Sequence, residues 1–171
     1  MVSIDDIPAE ARWMIAARSA GSMPMIFDMA FRKAFGDRIS GKEIADVETF
    51  IMAEGGRAAE GIAGTLGLPV GNAVEIDDTL GIVTQILFGP EFTGEATETM
   101  PDRVTFRMTG CAMLNREQEL NRDPVEASMP QNCQAFCGNA VESLNPDYAL
   151  EYTRRMCTGD PHCEYTIRLR K

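Results

Sequence analysis

The sequence predicts an α+β domain, with N-terminal helices packed on a C-terminal antiparallel sheet built from two hairpins. Three observations carry that expectation. Apolar residues recur at helical spacing as far as Gly89, the period switches to two beyond Pro90, and short turn signals join the later strands in pairs. The 171 residues suit a single domain over 1–171, with a helical half at 1–89 and a strand-rich half at 90–171. No internal repeat or low-complexity linker divides it.

An opening helix is expected over roughly residues 6–18, and SMPMIFDMAFRKAFG from Ser22 reads as a second helix, apolar nearly all round, which implies burial. Ser40 and Glu43 form a capping box ahead of Ile44, Val47, Phe50 and Ile51 on one face, and Gly55 with Gly56 closes that run. RAAEGIAGTLGLP is a short helix closed by Gly67. Asn72 with Glu75 opens a run in which Ile76, Leu80, Val83 and Leu87 keep helical spacing until Gly89 and Pro90.

In RVTFRMTG, Val104, Phe106 and Met108 alternate with Arg103, Thr105, Arg107 and Thr109, the pattern of a strand with one buried face. A turn at residues 100–103 makes EFTGEATET its hairpin partner, weakened or bulged at Gly94. Cys111 ends the strand, 115–123 is helix or loop, and PQNCQAFCGNAVESL is a short helix stopped by Asn145-Pro146. A second hairpin follows: Tyr148, Leu150 and Tyr152 alternate going in, and Cys163, Tyr165, Ile167 and Leu169 alternate coming out.

Acids outnumber bases 26 to 16, a net charge of −10, which argues against nucleic acid and anionic membranes because both are held through Lys and Arg. The start, MVSIDDIPAEARWM, lacks a basic and then apolar leader, and no stretch approaches the roughly 18 unbroken apolar residues of a membrane span. The expectation is a soluble, cytoplasmic protein, with a homodimer left open.

Four of the five cysteines are bunched in the last third. Cys133 and Cys137 lie one helical turn apart, Cys157 and Cys163 flank the loop TGDPH, and Cys111 lies upstream. Thiols gathered in a chain without export signals point to one soft metal: Zn²⁺ needs four N or S ligands, and an iron–sulfur cluster needs four thiolates. All five are therefore candidate metal ligands, with zinc preferred, an iron–sulfur cluster as the alternative, and Cys137 as the dispensable one. The competing reading is that some are small core hydrophobes, which Cys163 fits best.

Other constellations are thinner. His162, the single histidine, is a candidate further ligand or proton shuttle, although a solvated loop position suits it better. No G-x-S-x-G elbow accompanies it. GGRAAEG follows a helix rather than a strand, so close helix packing explains it better than an anion site. Asp28, Asp77 and Asp78 are candidate interior carboxylates, with exposed faces their usual fate. Methionines and phenylalanines crowd the helical half, and such side chains line adaptable cavities as readily as they fill cores. Met25, Met29, Phe31, Phe106 and Met108 are accordingly candidate walls of a pocket for a small neutral or cationic organic ligand, between the helices and the sheet.

The run from TMPDRVTFRMTGC through the cysteine-bearing helix to CTGDPHCEYTI resembles the C-terminal half of the L-2-amino-thiazoline-4-carboxylic acid hydrolase-like family. More distantly it is similar to the 4-vinyl-reductase-type small-molecule-binding domain. PDRVTFRMTGC, the helix start from Pro130 to Cys133, NPDY and GDPHCEY carry the likeness, over about residues 90–170. The resemblance implies an α+β domain with an interior pocket and, from the vinyl-reductase-type relatives, a thiolate-rich zinc site matched by Cys111, Cys133, Cys157 and Cys163. Those relatives carry a Glu three residues before the penultimate cysteine, where this chain has Arg154, which makes Cys137 or Glu151 the candidate substitute.

The expected function is a small-molecule-binding domain pinned by a cysteine-ligated structural zinc. One alternative is a metal-dependent hydrolase of a small cyclic amide or thiazoline-like substrate, in which an open metal position activates water beside Asp160 or Glu164. The other is an iron–sulfur redox protein.

Overall fold

The strong caps in the sequence each start a helix. In the computed structural model, which describes residues 3–125 and 128–170, the Ser40 side chain accepts from the Glu43 N–H while the Glu43 carboxylate accepts from the Ser40 N–H, opening α2 (Gly41–Arg57). Gly67, left-handed at φ 65°, closes α3 (Ala59–Leu66). Asn72 Oδ1 accepts from the N–H groups of Val74 and Glu75 at the head of α4 (Ala73–Phe88). Residues 115–123, which the sequence leaves as helix or loop, are mostly α5 (Ala112–Glu119), and the cysteine-bearing helix is α6 (Met129–Leu144).

The N-terminal region departs from expectation. One helix, α1 (Ala9–Phe35), spans what the sequence divides into two, with Pro24 inside it. Ser22 does not cap a new helix; its hydroxyl donates back to the Arg18 carbonyl at 2.9 Å. Tertiary contacts support the continuous helix: the Trp13 indole donates to the Ile86 carbonyl at 3.1 Å, and Gly21 lies against Phe88 and Met113. Nor is α1 buried on all sides. Ala17, Gly21, Met25 and Asp28 are covered, whereas Ile15, Ile26, Phe27, Met29, Phe31 and Phe35 are exposed, because α2, α4 and α5 cover only one stripe of it.

The strand-rich half forms one four-stranded antiparallel sheet in the order β1-β2-β4-β3, from β1 (Thr93–Met100), β2 (Arg103–Gly110), β3 (Tyr148–Arg154) and β4 (Cys163–Leu169). The two expected hairpins join through β2 and β4, with Val104 opposite Ile167, Phe106 opposite Tyr165 and Met108 opposite Cys163. The register shifts at Thr93/Gly94, where a Cβ on Gly94 would overlap the Phe106 ring and the Arg107 carbonyl. The apolar face of the sheet packs under α4 and α6, so Ile76, Val83, Val104, Val141 and Ile167 are fully buried. The α2 helix crosses α6 at Gly56, where any side chain would run into the Phe136 carbonyl; close packing is the role of that glycine. No helix among the described residues is long and apolar enough to cross a membrane.

Candidate functional site

A strongly apolar groove of about 320 Å³ lies between α1 and α2. Ala20, Met23, Pro24, Phe27 and Phe31 line it from α1, and Ile44, Val47, Ile51 and Met52 from α2. Its rim is unfilled: Phe27, Phe31, Val47 and Ile51 are all exposed.

Two carboxylates stand in these apolar walls, Asp28 and Glu48. Asp28 is 1% exposed and takes both oxygens' bonds from arginines: Arg32 Nε donates at 2.7 Å, and Arg122 donates to Oδ2. Arg122 also donates to the Met25 carbonyl at 2.9 Å, tying the α5–α6 connection to α1. Glu48 accepts from Asn132 Nδ2 at 3.3 Å, and burial pushes its carboxyl up to about 7, with the charge on Asp28 adding to the rise. Behind Glu48 a smaller cavity of about 30 Å³ is bordered by Glu117, Arg122, Asn132 and Cys133. Glu117 is 4% exposed, and burial raises its carboxyl too. Its Oε2 lies 3.2 Å from Arg122 Nε, close enough for an ion pair but misaligned, and receives no hydrogen bond.

All five cysteines border a different cavity, of about 60 Å³, with Met52, Phe88, Phe92, Met108, Phe136 and Tyr152. The sequence therefore brings its thiols together, but not as a ligand set. Among the described residues no group of three or more His, Cys, Asp or Glu is arranged to hold a metal ion. That arrangement overturns the zinc-pinned binding domain, and the metal-dependent hydrolase and iron–sulfur alternatives fall with it. The physical reason is the surroundings. Burial pushes the thiols up, Cys111 to about 12 and Cys137 and Cys157 to about 11, and it holds Cys133 well above the usual range. The sulfurs act as acceptors within the fold: Cys111 caps α5 through the Leu114 N–H, Cys137 takes the Tyr152 hydroxyl at 3.3 Å, and Cys163 takes the Met156 N–H at 3.2 Å. They behave as small hydrophobes with weak polar contacts.

The remaining candidates scatter. Asp160 accepts the Arg155 N–H at 2.8 Å, Glu164 accepts from the Thr153 hydroxyl at 2.7 Å, and Glu151 pairs with Arg168, so all three serve the tail hairpin. His162 is half-buried, with Nε2 shielded from water and unpartnered. Of the expected pocket residues, Phe31 lines the α1–α2 groove and Met25 the small cavity behind it, and Met29 lies exposed outside both. Phe106 and Met108 line a separate cleft of about 210 Å³ between α4 and the sheet. In that cleft Asp77 accepts the Tyr165 hydroxyl at 2.7 Å, and burial lifts its carboxyl to about 6, while Asp78 is exposed. Sequence reasoning overlooked Glu48, Glu117, Arg122 and Asn132. Glu48 carried a readable signal, since it sits one turn from both Ile44 and Met52 on the apolar stripe of α2.

The helices-then-sheet order, with one antiparallel sheet backed by α4 and α6, defines the class of fold. The structure is similar to that of a trafficking protein particle complex subunit 3 from Naegleria fowleri covalently bound to palmitic acid. The likeness has a TM-score of 0.57 and 13% identity and covers 90% of this chain and 96% of that one. At that identity it establishes the fold alone. No family model matches the chain, and no curated protein matches it.

Proposed function

We propose that this chain is a binding module that takes the apolar chain of an amphiphile into the α1–α2 groove, without covalent attachment and without a metal. The carrying observation is the groove itself: about 320 Å³ of nearly continuous apolar wall whose phenylalanine, valine and isoleucine rim the chain leaves uncovered. The palmitate held by the Naegleria subunit, on the same fold, supports the choice of an alkyl chain. A non-covalent mode follows from the thiols, which burial keeps protonated and so poorly nucleophilic.

Titration calorimetry with decanol below its solubility limit tests this. Saturable one-to-one binding is expected, and Val47→Trp, which fills the groove from an exposed position, should abolish it. Absence of saturable binding, or equal binding by the filled variant, overturns the reading.

A second reading is favoured by apolar side chains outside the groove. Ile15 is 65% and Phe50 64% exposed, and Ile26 adds to the same helical layer, more apolar surface than a short alkyl chain covers. Under it the α1–α2 layer meets a second copy of this chain. Sedimentation over a range of concentrations separates the two: a dimer dispersed by Phe50→Lys supports self-association, and a monomer throughout removes it.

A further inference from the structure

The acidic residues of the α1–α2 groove are as specific as its walls are general. Asp28 and Glu48 interrupt an otherwise apolar lining, and Glu117 stands behind Glu48 across the small cavity. Five charged or titratable side chains meet there from three helices and a connection: Asp28 and Arg32 from α1, Glu48 from α2, Glu117 from α5, and Arg122. Asn132 and the Cys133 thiol complete the wall from α6. Both guanidiniums are committed, Arg32 to Asp28 and Arg122 to Asp28, the Met25 carbonyl and the Glu117 side. Three carboxyl groups against two guanidiniums leave one acidic group without a cation. Glu48 is that group, since its side-chain partners are the neutral Asn132 amide and the Asp28 carboxyl, and no cation pairs with it among the described residues. Independently, Glu117 Oε2 is buried with no hydrogen-bond donor, an unmet acceptor bordering the same cavity as Glu48.

We infer that Glu48, backed by Asp28 and Glu117, selects amphiphiles whose polar end is a cationic amine, in preference to alcohols and against carboxylates. The inference rests on the groove binding an alkyl chain. An ammonium group at Glu48 supplies the missing positive charge and N–H donors to a partly dehydrated site, where a charge-assisted hydrogen bond outweighs a neutral one. A carboxylate there adds a fourth negative group beside Asp28 and Glu48, and its repulsion is not relieved by arginines already engaged. An alcohol can donate one hydrogen bond but brings no charge. The elevated Glu48 carboxyl is the signature of the same imbalance: without a cation, the site takes a proton.

The test compares decylamine, decanol and decanoate, all below micelle formation, by calorimetry at pH 8 and pH 6 on the whole chain. Decylamine should bind roughly five- to tenfold tighter than decanol at pH 8, with decanoate weakest. The preference should shrink at pH 6, where Glu48 holds a proton. Glu48→Gln should erase it at both pH values, while Glu10→Gln, on the exposed first turn of α1, should keep it; circular dichroism confirms that both variants fold. If none of the three binds, the groove reading itself fails. If all three bind alike, or decanoate binds best, or Glu48→Gln retains the amine preference, alkyl-chain binding stands and amine selection is overturned.

Discussion

The α1–α2 groove and the cysteine-lined cavity share Met52 and similar apolar walls, yet they differ in what they leave unsatisfied. The cysteine cavity gathers five reactive side chains in about 60 Å³ and neutralises all of them through burial and weak internal contacts. The groove has no thiol, about 320 Å³ of room, an uncovered rim and a carboxyl without a cation. A concentration of metal-loving or nucleophilic residues is therefore not what makes a site here. Under the proposed function, space plus unmet chemistry is.

The largest effect should come from the seam beneath both cavities. Gly56→Val drives a branched side chain into the Phe136 carbonyl of α6, a backbone atom that cannot step aside, and should cost about 3 kcal/mol in urea unfolding. A loss below about 1 kcal/mol would mean that α2 and α6 can separate and that the groove wall is mobile. In the sheet cleft, Tyr165→Phe leaves buried Asp77 without its donor and should cost about 1–2 kcal/mol at pH 8. It should also move the Asp77 titration above its present value of about 6, readable by carboxyl NMR.

A sharper contrast lies between the cavities themselves. Cys133→Ser replaces a thiol that burial holds neutral with a hydroxyl in an apolar wall and should cost about 1–2 kcal/mol. Phe27→Ser on the exposed groove rim should stay within about 0.5 kcal/mol while weakening decanol binding. Equal destabilisation would erase the distinction between a sealed wall and an open one. The folded protein's thiols should also react slowly with an aromatic disulfide reagent at pH 8 and quickly once unfolded, because the raised thiol pKa values leave little thiolate. Fast reaction in the native state would show the cysteine cavity to be open.

The smallest effect is a slope. Glu48 binds its proton more tightly in the folded chain than at its ordinary value near 4.5, so the stability tied to that proton is complete below about pH 4.5. It is lost as pH rises to about 7 and stays lost above. Glu48→Gln should flatten this part of the pH profile and raise stability at pH 8 relative to the parent chain. An unchanged slope between pH 4.5 and 7 would show that Glu48 is already ionised and solvated.

Much of the fold was legible in order of local strength. The Ser40 capping box, the Asn72 cap, the left-handed Gly67 and the two-residue period of β2 need only near neighbours to act, and all appear as read. The break expected before Ser22 was not real, because its cancellation depends on Trp13 reaching Ile86 and on Gly21 lying against Phe88, contacts some seventy positions distant along the chain. The cysteines were legible as neighbours and illegible as chemistry. Spacing can bring sulfurs to one place, but only the packed surroundings decide whether they meet as thiolates or as hydrophobic thiols. The candidate site is the extreme case. Glu48 showed only as an acid on an apolar stripe; that Asp28, Glu117 and Arg122 converge on it from separate elements is a product of three-dimensional packing. Short-range backbone chemistry let the sequence determine the helices, the hairpins and the buried sheet face. Which surfaces stay uncovered, and which charges lack a partner, depends on distances between residues far apart in the chain, and only the tertiary structure decided that.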